Sequence, residues 1–549
     1  MKGDILIGID AGTSVIKAVA FTLSGEQIAV ASRPNSYETP GPGHVEQDMA
    51  RTWTDCVATL RELCERVPNL PRRAACIAVT GQGDGTWLID KDGAPVGGGL
   101  LWLDSRAASI CAEYMKMPAY IEHYAKTGAG LNACMASGQL AWMKRHQPER
   151  IARATTALHC KDWLYFNLTG ERVTDPAEAN FTFGNYRTRR YEPSILAAMG
   201  IADCERLLPP IVDGASTSHG LNAAAAKVTG LPQGLPVVLG YLDVVCTGLG
   251  SGLYEPGSDV GVSIFGSTGM HMRFAATADD VRLNESRAGY TMLLPIPGAA
   301  TTMQSNMAAT LNVDWLLDIA REAASWAGGK TTRSALFKGM DARVLDAAPG
   351  SAIYHPYIFE AGERGPFLDP NARAQFSGLS TRTSLAGMMR AVFEGLALAS
   401  RDCYVASGAP PREVRLGGGA ARSQALRTIL ASTLGASVRT VKREEAGAAG
   451  AAMTAAVCLG AYSDMAQCAN VWVTPLLGET IEPDASLSRF YDTLFPVYTE
   501  IRKSMHPAWA ALAQARGVSK RARKLRLSAT ASCCPRCSRR LFAKNAAMP

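Results

Sequence analysis

Apolar positions along the chain fall into two series of short runs that open alike. Residues 5–9 and 15–21 are apolar stretches of strand length on either side of Asp10-Ala11-Gly12-Thr13-Ser14. Midway along, residues 260–265 and 270–274 flank Gly266-Ser267-Thr268-Gly269 in the same way. Each pair predicts a β-hairpin, because short apolar runs broken by Gly and hydroxyl residues favour two strands and a tight turn. After the first hairpin the pattern predicts a helix over 49–66, a strand over 75–80, a long helical stretch, and a strand over 235–239. After the second it predicts helices near 308–323 and 384–400, a strand over 414–416 and a helix over 423–434. Two halves with one opening, each alternating strands with helices, point to an α/β fold of two duplicated domains with a cleft between them. We place the boundaries at 1–250 and 251–515, with 516–549 as a tail.

Composition narrows the class. The 549 residues exceed what one core can organise, and 47% hydrophobic with 19% charged residues describes a globular chain. No run of about twenty apolar residues occurs, and the Ala- and Gly-rich stretch 446–461 reads as a tightly packed internal helix. Asp4 and Asp10 inside the first apolar run argue against a secretory leader, so a cytoplasmic location and no membrane partner are expected. The fourteen cysteines are mostly scattered singly and read as reduced. Cys533-Cys534-Pro535-Arg536-Cys537 is the exception, half of a zinc site with no second pair nearby.

The net charge of +7 belongs to the tail. Residues 516–549 hold ten Lys or Arg and no acid, which leaves 46 basic residues against all 49 acidic ones before them. Lacking apolar periodicity and interleaved aromatics, the tail reads as a disordered appendage, and no nucleic-acid partner is expected.

The two turns carry the chemistry. Hairpin tips that offer backbone N–H groups and hydroxyls suit an anion. No Walker motif, Gly-x-x-x-x-Gly-Lys-Ser/Thr, is present, so a phosphate grip is expected in the turns between strands instead. In the first, Gly12 lets backbone approach a phosphate, Thr13 and Ser14 donate, Lys17 follows, and Asp10 is placed to hold a magnesium ion. In the second, Gly266, Ser267 and Thr268 repeat the device. Gly-Thr-Ser is also ordinary turn chemistry; the pairing of the two turns is what favours a nucleotide held between two related hairpins. Asp243 ends an apolar strand just before the Gly-rich passage that joins the halves, where a carboxylate could take the proton of an attacking hydroxyl and share the metal, or simply cap a helix. Gln82, Asp84, Trp102, Asp104 and Arg106 follow apolar runs and together supply acceptors, donors and an aromatic wall for a polyhydroxylated substrate, although a surface turn would also explain them. Gly418 and Gly419, with Ser423 opening a helix, offer a flat surface for a base and ribose.

With these pieces in order, the chain resembles the FGGY carbohydrate kinases, of the actin-like ATPase superfamily, from about Ile5 to Trp509. The likeness rests on the Asp10 turn, Trp102-Leu103-Asp104-Ser105-Arg106, Lys161-Asp162-Trp163-Leu164 with Leu168-Thr169-Gly170, Asp243, Gly266-Ser267-Thr268-Gly269, Gly362-Glu363-Arg364 with Phe376-Ser377-Gly378-Leu379, and Gly418-Gly419. It implies two ribonuclease-H-like domains closing on ATP, Mg2+ and a small polyol, with Asp243 as the base; a homodimer is compatible with it. Glycerol kinases carry Arg and Glu where Gly83 and Asp84 stand here, and xylulokinases carry Met and His. The segments 81–87, 159–163 and 354–357 resemble those of the erythritol-using members, which implies transfer from ATP to a terminal hydroxyl of erythritol. Alternatives are another sugar kinase of the family, a nucleotide-dependent interaction protein of the actin type, and a nucleic-acid binder working through the tail.

Overall fold

A computed structural model describes residues 3–517. The Cys533–Cys537 motif and nearly all of the basic tail lie outside the described residues.

In the N-terminal half, β1 (Ile5–Ala11), β2 (Val15–Thr22) and β3 (Gln27–Pro34) form an antiparallel meander. Helix α1 (Met49–Arg66) leads to β4 (Ala74–Gly81), parallel to β1, and after α2 (Cys160–Thr169) and α3 (Pro176–Phe183) the chain returns as β5 (Pro236–Leu239), parallel to β4. Helix α4 (Asp243–Gly250) closes this half. The C-terminal half repeats the plan with β6 (Val260–Phe265), β7 (Gly269–Ala275), β8 (Ala300–Asn306), α5 (Leu385–Ala406), β9 (Glu413–Gly417), α6 (Gln424–Leu434), β10 (Ser437–Val441) and α7 (Ala446–Cys458). The strand orders β5-β4-β1-β2-β3 and β10-β9-β6-β7-β8 are therefore equivalent, the first extended by one edge strand and the second by one at each end. This is the duplicated fold that the twin hairpins predict.

Strand β1 explains why its sequence is apolar throughout rather than alternating: both of its faces are covered. Ile5, Ile7 and Ile9 pack with Leu60 and Leu63 of α1 and Leu164 and Leu168 of α2. Leu6 packs on the opposite side with the alanines of α7. Gly8 lies on that side too, and a Cβ there would sit 2.4 Å from the Ala448 carbonyl oxygen.

The closing helices of the two halves, α4 and α7, pack on each other through small residues. A Cβ on Gly450 would fall 1.9 Å from the Cys246 oxygen, and one on Gly250 would fall 2.2 Å from the Ala446 oxygen. Residues 447–456 are all buried, as the Ala- and Gly-rich composition of 446–461 predicts for an internal helix. This backbone-to-backbone seam holds the two sheets against a shared core and fixes where their strand ends meet. Among the described residues no helix is long and apolar enough to cross a membrane.

Candidate active site in the cleft

Strands β1, β4 and β5 are parallel, so their carboxyl ends open on one edge of the sheet, where α/β proteins bind ligands. The Asp10 turn leaves β1 there, Gln82 to Asp84 leave β4, and Asp243 follows β5. The second hairpin brings Thr268 to the same place from the other half. Thr13, Gln82, Asp84, Trp102, Asp243 and Thr268 all line one cavity of ≈ 300 Å3. Its apolar wall is Phe181, Leu242, Met270, Met292, Met303 and Met307, and its polar wall includes Tyr290, Ser305, Asn306 and Arg364.

The Asp10 turn is coupled to the pocket by a chain of hydrogen bonds. The indole N–H of Trp102 donates to Thr13 Oγ1 at 2.7 Å, Thr13 Oγ1 donates to Gln82 Oε1 at 2.9 Å, and Gln82 Nε2 donates to Gln47 Oε1 at 2.7 Å. The Thr13 side chain is thus turned inward, and it is the tip, with Ser14 exposed, that faces outward. In the second turn Ser267 and Thr268 are exposed, while the Gly266 carbonyl accepts from the N–H and Oγ1 of Thr310.

Asp243 lines this cavity, and Asp10 lies near enough for its charge to act on it. Burial pushes the Asp243 carboxyl up to about 8, with the charge of Asp10 adding to the effect and N–H donation from Val244 and Gly83 opposing it. Asp10 is pushed up to about 6, also chiefly by burial, against the pull of Lys17. Asp10 lies beside the start of α7, where a Cβ on Gly447 would be 2.4 Å from its Oδ2, so only glycine admits the carboxylate there. Mutually repelling carboxylates in a cleft are the donor set that suits a hard divalent ion, with the remaining ligands left to phosphate and water. Asp243 Oδ1 also accepts from the Val244 N–H at 2.7 Å, so the helix-cap reading and the cleft reading of this residue hold together.

Asp84 is held in an unusual conformation. Its φ is 57°, rare for a residue with a side chain, and its N–H is fixed by Glu178 Oε1 at 2.8 Å. Glu178 belongs to a buried polar cluster: Lys161 Nζ lies 2.6 Å from Asp162 Oδ1 and 2.7 Å from Asp175 Oδ2, and His159 bridges Asp162 and Glu178. The Lys161-Asp162 motif thus sits behind the substrate loop and supports it.

Four expected site residues are placed differently. Asp104 and Arg106 do not line the cavity. They form a buried ion pair in which Arg106 Nε donates to both Asp104 oxygens at 3.0 and 2.9 Å, with Glu46 and the Val45 N–H completing the set. That pair braces the segment behind Trp102, since a buried guanidinium keeps whatever carboxylates surround it. Lys17 is engaged with Glu445 at 2.7 Å, a bridge between the halves. Ser423 caps α6: its hydroxyl accepts from the Leu426 N–H and donates to Asp341 Oδ1 at 2.6 Å. Gly418 and Gly419 do form an open turn at the end of β9. Gly418 has φ 87° and sits against the Phe265 backbone, and nothing would contact a Cβ on Gly419.

Sequence reasoning passed over Arg364, Tyr290, Phe181 and the methionine wall as pocket residues. The one signal was the Glu363-Arg364 motif, a paired charge directly before Gly365-Pro366.

Comparison with known proteins gives the family. An erythritol kinase of Brucella abortus (strain 2308) is 50% identical over 512 residues, 93% of this chain and 98% of that protein. A xylulose kinase structure from Rhodospirillum rubrum superposes with a TM-score of 0.82 at 28% identity, covering 92% of this chain and all of that one. A gluconate kinase structure from Lactobacillus acidophilus shares the fold, with a TM-score of 0.83 at 21% identity over 92% and 99% of the two chains. Residues 5–250 match the N-terminal domain of the FGGY family of carbohydrate kinases and residues 261–459 match its C-terminal domain, and the chain belongs to that family.

Proposed function

We propose that this kinase transfers the terminal phosphoryl group of ATP to a terminal hydroxyl of erythritol in the cytoplasm. The observation that carries the reading is that Thr13 from one hairpin, Thr268 from the other and Asp243 between them line a single cavity that also holds Asp84. Phosphoryl transfer asks a protein mainly to position the reactants, offset charge and accept one proton. The exposed tips at Ser14 and at Ser267–Thr268 offer N–H groups to the triphosphate from both sides. Gly418 and Gly419 offer an open surface for the adenosine. Asp243 takes the proton of the substrate hydroxyl as its oxygen bonds to phosphorus and the bond to the ADP oxygen breaks. Its raised carboxyl range suits a general base, because a group that ionises near neutral pH is both available and basic. Asp10 and Asp243 would hold Mg2+, which when bound offsets the negative charge of the phosphates.

Erythritol is preferred for two reasons: the identity to a relative named for that substrate and the retained acceptor at Asp84 in the cavity wall. The experiment is a coupled ATP-consumption assay with erythritol, glycerol, ribitol, xylulose and ribulose. Highest kcat/KM for erythritol is expected, and a clear preference for a ketose overturns the choice.

A further inference from the structure

Arg364 comes from the C-terminal half and Asp84 from the N-terminal half, yet both line the same cavity. The backbone that carries each is firmly held. Asp84 is fixed by its left-handed backbone and by Glu178. Arg364 follows Glu363, whose Oε1 accepts from the N–H groups of Met307 and Arg364, each at 2.9 Å. Asn306 Nδ2 donates to the Gly365 oxygen at 2.8 Å and Asn284 Nδ2 to the Pro366 oxygen at 2.7 Å, so the loop is pinned from three sides.

The polar atoms these residues present are little used. Asp84 Oδ2 accepts weakly, from Cys134 Sγ at 3.5 Å and the Tyr290 hydroxyl at 3.4 Å, and Asp84 Oδ1 is buried with no partner. The guanidinium of Arg364 acts on Asp84, Cys134, Tyr290 and Glu363 through charge alone and, among the described residues, forms no hydrogen bond or ion pair with any of them. A donor on a pinned loop and a fixed acceptor that share a cavity without meeting leave a gap, and a buried carboxylate oxygen without a partner is costly to maintain.

We propose that Asp84 and Arg364 grip one substrate oxygen from opposite halves of the enzyme and thereby select a hydroxyl over a carbonyl, an alditol over a ketose. The reason is donor and acceptor identity: a guanidinium only donates and a carboxylate only accepts. An oxygen between them must accept from Arg364 and donate to Asp84, which a hydroxyl does and a carbonyl does not. A ketone in that position leaves Asp84 Oδ1 buried and unpaired, the situation in which sites built for a hydroxyl reject analogues most strongly. This rests on the polyol kinase reading above and adds Arg364 to it as a residue that contacts substrate and sets specificity.

The test uses a matched pair, erythritol and erythrulose, which differ only in oxidation of one carbon, with wild type, Asp84→Asn and Arg364→Met in the full chain. Wild type is expected to favour erythritol by roughly 100-fold or more in kcat/KM. Arg364→Met should raise the erythritol KM roughly 10- to 100-fold, the range of one lost hydrogen bond to a charged group, and leave the ATP KM within about twofold. Asp84→Asn, whose amide can donate to a carbonyl, should raise the erythrulose-to-erythritol ratio of kcat/KM by roughly tenfold or more, an effect that no general loss of structure produces. The proposal is overturned if wild type uses both compounds within about threefold, if the Asn variant leaves the ratio unchanged, or if the Met variant keeps its erythritol KM. Should Arg364→Met fail to fold, the ratio in Asp84→Asn decides alone. If wild type ignores erythritol but accepts another alditol, the substrate choice falls, and the same comparison run on that alditol and its ketose still decides the grip.

Discussion

Replacing Asp243 with Asn separates catalysis from stability in one substitution. The carboxyl is pushed from 3.8 to about 8 in the folded chain. At 1.36 kcal/mol per unit, keeping it in the fold at pH 7 costs about 4 kcal/mol relative to the unfolded chain, an upper bound for one enclosed group. Asn has the same shape, keeps an oxygen for the Val244 N–H that now lies 2.7 Å away, and is neutral in both folded and unfolded chains, so it needs no proton to be buried. Part of that cost should therefore be recovered. Even about 1 kcal/mol within one half of the chain raises the melting temperature by about 2 °C. Turnover, in contrast, should fall by roughly 10²- to 10⁴-fold, because the amide accepts no proton. Steady-state kinetics with erythritol and ATP, alongside a thermal melt of the ligand-free protein, read both quantities. An Asn variant that keeps more than a tenth of wild-type turnover, or that melts several degrees lower, would refute the assignment of Asp243 as a strained base.

Three further outcomes follow from the same geometry. Asp10 and Asp243 have folded values of about 6 and about 8, above the usual carboxylate range, so the folded chain holds protons that the unfolded chain has released and the stability from these groups falls as pH rises toward 8. Millimolar Mg2+ without nucleotide should then raise the melting temperature more near pH 8 than near pH 6, because it competes with those protons; equal shifts at both pH values, or shifts that persist in Asp10→Asn, would contradict the metal assignment. Asp104→Asn breaks the buried pair with Arg106 and should destabilise by about 3–5 kcal/mol, with the erythritol KM within about threefold of wild type; a large KM change at normal stability would restore Asp104 as a direct contact. Gly450→Ala places a Cβ 1.9 Å from the Cys246 oxygen and should lower the melting temperature sharply, whereas Gly419→Ala, with open space around it, should melt normally and raise only the ATP KM; similar melts for the two would discount the seam between α4 and α7.

Much of the architecture was legible because it is set locally. The 49–66 helix and the 235–239 and 414–416 strands appear within a residue or two of their predicted ends, since apolar spacing and flanking Gly or Asp fix such elements. Topology then does the rest for Asp10, Gln82, Asp84 and Asp243: parallel strands deliver residues distant in sequence to one edge. What the sequence could not show is how a polar side chain is used after folding. Asp104-Ser105-Arg106 reads equally as a sugar contact or a buried brace, and only the position of Glu46 and the Val45 N–H decides it. Lys17 follows a phosphate-type turn, but the next strand points it at Glu445, 428 residues away in sequence. Arg364 was hidden for the opposite reason: the partner that gives it meaning, Asp84, lies in the other half of the chain.

Both hairpins and Asp243 are expected to serve one reaction centre. A crystal structure with erythritol, Mg2+ and a non-hydrolysable ATP analogue tests this most directly. It should place the γ-phosphate between the 12–14 and 266–268 turns and a terminal polyol oxygen within about 2.6–3.2 Å of the Asp243 carboxylate. A nucleotide bound away from either turn, or a polyol whose hydroxyls all lie beyond reach of Asp243, would contradict it.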